Sequence, residues 1–169
     1  YYERGNVVKN SSVTGSGVYI GGMYGYSMEV YDSNVYDTTV TSIGASSYGV
    51  GGFSGYKTGY TTRSCGVTRV TVSGIGTEHG GFVGRFSGGT IATSYVQDST
   101  VNAYSKVGGF IGSHVNGTLY YSTVTRSLVN AVSAYAGGVA GFFGDIVSSH
   151  GALRQTSVTD PDIVDNDCA

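Results

Sequence analysis

One short string, Gly-Gly-apolar-x-Gly, returns five times at nearly constant spacing and limits the fold more than anything else in the chain. It stands at Gly21-Gly22-Met23-Tyr24-Gly25, Gly51-Gly52-Phe53-Ser54-Gly55, Gly80-Gly81-Phe82-Val83-Gly84, Gly108-Gly109-Phe110-Ile111-Gly112 and Gly137-Gly138-Val139-Ala140-Gly141. The second glycines lie 30, 29, 28 and 29 residues apart. A unit of about 29 residues is too short to bury its own apolar face, but a stack of such units builds one continuous core.

A second signature falls between these strings: β-branched residues five apart, at Val8/Val13, Val35/Val40, Val67/Val72, Val96/Val101, Val124/Val129 and Val158/Ile163. Five apart is not helical spacing, and interior glycines weaken helices, so each unit reads as strands. Composition agrees, with 29 Gly, 15 Tyr and a single Pro among 169 residues. The expectation is an all-β solenoid, or β-helix, of about five to six coils. Each coil holds about three short strands, at the glycine string and at each valine. Residues 1–159 form the repeats and 160–169 an acidic tail, cap or linker. Met23, Phe53, Phe82, Phe110, Val139 and the paired valines fill the core.

If equivalent positions stack at the inter-strand distance of about 4.8 Å, they form columns. Two residues after the first valine stand Asn10, Asp37, Arg69, Asp98, Arg126 and Asp160, alternating in sign from Asp37 onward. Such a ladder favours the native register and penalises a one-coil slip, which would bring like charges together.

The strings Gly80-Gly81-Phe82-Val83-Gly84, Gly89-Thr90-Ile91 and Ser94-Tyr95-Val96, repeated as Gly108-Gly109-Phe110-Ile111-Gly112, Gly117-Thr118-Leu119 and Ser122-Thr123-Val124, resemble the GLUG repeat. Phe, Met or Val takes the place of its Leu. The resemblance is strong over residues 80–130 and looser before 50 and after 142. It implies a β-solenoid in a secreted or cell-surface protein, such as an adhesin or a non-catalytic part of an immunoglobulin-A-cleaving metallopeptidase. It supplies no catalytic residues.

Nine basic and eleven acidic side chains, for a net charge of −2, leave no electrostatic footprint for nucleic acid. No apolar run is long enough for membrane insertion as a helix. His79, His114 and His150 occupy three different places in the repeat, so they cannot form one metal-binding column and read as solvated or locally bonded. No cofactor is expected, and the alternating column neutralises its own acids, which argues against an enzyme. Asp162, Asp165 and Asp167 offer a weak calcium option at the acidic end. Asn10 and Asn116 match glycosylation acceptors, relevant to a eukaryotic secretory protein. Cys65 shares a column with Ser, Thr and Asn and reads as a small buried thiol, while Cys168 lies in the tail.

Tyr24, Tyr26, Tyr56 and Tyr95 are the candidate binding residues, as amphipathic rings expected to face outward. The functional expectation is an extracellular or cell-surface structural module, an adhesin stalk or a self-assembling filament subunit. Its partners would be further copies joined end to end or flanking domains of a longer chain. The alternative is a module binding a glycan or a host or cell-surface protein through its tyrosines. Ice binding is a third option, hinted at by Thr38, Thr39, Thr41, Thr68 and Thr71 but broken by Asn102 and Asn130.

Overall fold

A computed structural model describes residues 2–143 and the strands 152–154, 157–159 and 162–165. Its strands form three parallel sheets that wind into a β-solenoid of about five turns. No helix occurs among the described residues.

Each sheet gathers one position of the repeat. The first-valine sheet contains Val7–Lys9, Asn34–Tyr36, Gly66–Thr68, Tyr95–Gln97, Thr123–Thr125 and Ser157–Thr159. Its register pairs Val8, Val35, Val67, Val96, Val124 and Val158 in one line. The second-valine sheet aligns Val13, Val40, Val72, Val101, Val129 and Ile163 in the same way. The glycine-motif sheet aligns Ser54, Val83, Ile111 and Ala140. The parallel stacking runs on through Asp162–Asp165, which pairs with Leu128–Ala131, inside the segment set apart as an acidic tail. Asp160, Asp167, His150 and Cys168 lie outside the described residues.

Three strands per coil hold in the later coils. Early coils break into short pieces, but later ones run as the long strands Val83–Ala92, Thr100–Gly108, Ile111–Tyr120 and Leu128–Gly137. One break accompanies extra residues, the turn between Thr39–Ser42 and Tyr48–Gly51, where Ser47 N–H closes on the Gly44 carbonyl at 2.9 Å.

Phe53, Phe82 and Phe110 stack inside at centroid distances of 4.6 and 4.8 Å, matching the strand spacing. All three are buried, as are eight valines of the paired columns from Val35 to Val129, whereas Met23 and Val139 are only partly covered. Interior corners carry polar groups in orderly fashion. Ser94 Oγ donates to the Ala92 carbonyl at 2.9 Å and accepts from Cys65 N–H, one coil back, at 3.3 Å. Ser33 and Ser122 repeat the inward bond, and Cys65 takes the same place with its sulfur.

The last glycine of each string is dictated by close approach. A Cβ on Gly84 would lie 2.0 Å from the Val50 nitrogen, in the strand that precedes Gly-Gly one coil earlier. Two backbones therefore touch where the sheets converge, and a side chain there would hold them apart.

Candidate functional site

The charge column sits at a corner. Asn10, Asp37, Arg69, Asp98 and Arg126 all adopt left-handed backbone, with φ between 45° and 52°. Asn and Asp tolerate that region, but Arg does so only at a steric cost. At Arg69 and Arg126 that cost accompanies two-point pairing across coils. Arg69 donates to Asp37 at 2.6 and 3.0 Å, and Arg126 donates to Asp98 at 2.7 and 2.9 Å. These bonds hold both carboxyls below their usual range, and Arg69 also acts on Asp98 from the other side. Among the described residues the ladder is thus two discrete pairs.

The four candidate tyrosines do not form one face. Tyr24 takes the column of buried Ser54 and Val83, packs edge-on against Phe53 at 5.7 Å, and accepts from Asn6 Nδ2 at 2.7 Å. Tyr95 lies in the first-valine sheet, its ring over Gly66 and its hydroxyl donating to Asn34 Oδ1 at 3.2 Å. Both are structural, because each ring covers a neighbouring coil rather than projecting from its own. Tyr26 and Tyr56 do stand together, stacked at 5.3 Å. Two tyrosines absent from the expected set complete this cluster. Tyr19 lies 4.6 Å from Tyr56 and 5.3 Å from Tyr48. Its hydrogen bond with Tyr48 and its burial push its hydroxyl up to about 12.

The remaining expectations divide similarly. Thr38 and Thr68 are buried, which removes them from any threonine face. Thr39, Thr71 and Thr100 do align, but Leu128 ends that column, and Thr41 and Ser73 lead to Asn102 and Asn130. Cys65 is fully buried and its thiol is pushed up to about 11. Asn10 is exposed, and Asn116 is partly buried with its Oδ1 accepting from Gly117 N–H. No group of three metal-ligating side chains occurs among the described residues.

Of the histidines read as solvated or locally bonded, the two among the described residues lie in the core rather than in solvent. His79 shares a column with Val50 and Val107, and its Nε2 lies 3.0 Å from Ser42 Oγ. His114 shares one with Phe86, edge-on at 5.1 Å. Burial pulls each imidazole down to about 4. Lys57 is buried in the column between Ser27 and Phe86. Its ammonium donates to the carbonyls of Thr58 and Tyr60 at 2.8 and 3.0 Å, and burial lowers it to about 8. Glu78 is nearly buried and pairs with Arg85 at 3.1 Å and Lys106 at 3.6 Å. These groups are dispersed through successive coils, each paired or packed locally.

Comparison with protein-family models, curated proteins and solved structures found no match for the chain.

Proposed function

We propose that the chain is a non-catalytic structural segment of an extracellular or cell-surface protein, a rod serving as an adhesin stalk or a filament subunit. One observation carries this reading. All three sheets run parallel through the whole stack, and the first-coil strands Glu3–Arg4, Val7–Lys9 and Ser12–Gly15 each pair on one side only. Val8 and Val13 of that coil, which face the core, are only partly covered. Each coil rests on its neighbours through parallel strands, so the stack extends by adding coils, and a second copy would join at the first-coil strands. The GLUG-like strings support the extracellular setting.

Electron microscopy and sedimentation over a concentration series test it. The filament form gives rods that lengthen with concentration, and Val8→Lys with Val13→Lys blocks the growth. Globular aggregates, or growth unaffected by these substitutions, would refute stacking through this edge.

A second reading, a module that binds a carbohydrate or protein surface, is favoured by the stacked Tyr26 and Tyr56, with Tyr26 53% exposed. It requires that Tyr26→Ala with Tyr56→Ala abolish retention on a target-cell surface while thermal unfolding stays in place.

A further inference from the structure

One concavity lies away from the Tyr26–Tyr56 cluster. It measures about 390 Å³ and is lined by Tyr2, Arg4, Tyr31, Asp32, Arg63 and Ser64. Its floor is a column on the outer side of the glycine-motif sheet, where Arg4, Tyr31 and Arg63 are register partners in successive coils. Coil spacing puts the two arginines about 10 Å apart with the Tyr31 ring between them. Asp32 and Ser64 follow at the adjoining corner, both in left-handed backbone.

The polar groups differ in how far they are engaged. Arg4 Nε donates to Asp32 Oδ2 at 2.9 Å, and the Tyr31 hydroxyl donates to Glu29 Oε1 at 2.8 Å. Arg63 has no ion-pair partner among the described residues, although its charge acts on the Tyr31 hydroxyl. Tyr2 and Tyr31 meet edge to face at 5.9 Å and give the concavity an aromatic wall. A space of this size suits a small ligand, and each feature selects a different part of one. An unengaged guanidinium fits a carboxylate at two points. The Asp32 carboxylate and Ser64 hydroxyl accept from hydroxyl groups. Amphipathic rings cover the C–H face of a sugar.

From this combination we infer that the concavity binds an acidic saccharide, with a uronate carboxylate on Arg63 and the sugar ring against Tyr2 and Tyr31. The inference does not depend on end-to-end stacking. Glu29 and Asp32 oppose a bare anion, so the ligand must offer hydroxyls as well as charge.

Calorimetric titration of the full chain with a galacturonic acid trisaccharide tests the site, with the neutral galactose trisaccharide and inorganic phosphate as comparison probes. Saturable binding of the uronate is expected, at least tenfold tighter than the neutral sugar. Arg63→Gln should weaken it tenfold or more and Tyr2→Ala measurably, both with unchanged circular dichroism, since the two side chains are exposed. Absence of uronate binding overturns the assignment, as does equal affinity in Arg63→Gln. Equal binding of the neutral sugar would refute the carboxylate contact, and equal binding of phosphate would leave a bare anion site.

Discussion

Replacing His79 by Val, the residue found at the same column position in the coils on either side, should remove a large part of the protein's acid sensitivity. In the folded state burial holds the imidazole near 4, against an unfolded value of 6.5. Between those values the unfolded chain binds the proton and the folded chain does not, so stability is full above pH 6.5 and falls as the pH drops towards 4. Below 4 both states are protonated and the loss stops growing. At pH 4 the penalty comes to about 3 kcal/mol for His79, and His114, with the same shift, adds about as much. Together they rival the whole stability of an ordinary domain, roughly 5–15 kcal/mol. Asp37 and Asp98, held low by arginine, lose their stabilising charge only at still lower pH, so they leave this window clear. The assay is urea denaturation followed by circular dichroism between pH 7.5 and 4. The wild type should lose stability steeply, His79→Val about half as much, and His79→Val with His114→Phe least. Parallel curves for wild type and His79→Val would refute the buried placement of this side chain and the column that puts it there.

Lys57 gives the complementary test at high pH. With its folded value near 8 and unfolded value of 10.5, stability should rise with pH from 8 towards 10.5, by up to about 3 kcal/mol, and Lys57→Met should flatten that rise in denaturation measured to pH 9.5. Gly84→Ala should lower the midpoint drastically or prevent folding, whereas Gly17→Ala, where an added Cβ meets nothing within 4 Å, should leave the melting temperature nearly unchanged. For the charge column, Asp37→Arg or Arg69→Asp alone should lower the melting temperature at low salt. The exchange of both should recover most of the loss, and no recovery would mean that the two side chains do not act as a pair.

The periodic part of this fold was legible because a solenoid repeats its environment: a residue type that recurs every turn reports the same burial each time. Glycine strings, paired valines and stacked phenylalanines all recur. What escaped were the exceptions within a column. His79 directly precedes Gly-Gly, where the other coils carry Ile20, Val50, Val107 and Ala136, an apolar set that marks the position as inward. Lys57 and His114 both stand four residues after the core Phe, as Phe86 does. Aligning the units exposes both, which residue type alone does not. The tyrosines failed for a different reason. A ring as long as that of Tyr95 reaches along the axis onto the preceding coil, so its contacts depend on a glycine at position 66 that no pattern within its own coil reveals. The Arg4–Tyr31–Arg63 column was equally hidden, since it has no repeating residue type and forms only when three coils are superposed.

The position of these buried polar groups matters more in a stack than in a globular core. Each coil touches only its neighbours, so stability is close to a sum over coil-to-coil interfaces, and a local penalty weakens one interface instead of being shared by the whole. His79 packs between the coils of Val50 and Val107, and His114 follows one coil later against Phe86. Lys57 and Glu78 lie in the same central stretch. Protonation therefore charges the middle of the stack while the outer aligned valines remain intact. A stack built this way should open at its centre in acid, and hydrogen exchange at pH 5 should find the amides of Thr77–Gly80 losing protection before those of Asn34–Tyr36. The reverse order would mean that fraying from the open edge, not the buried histidines, governs how the stack comes apart.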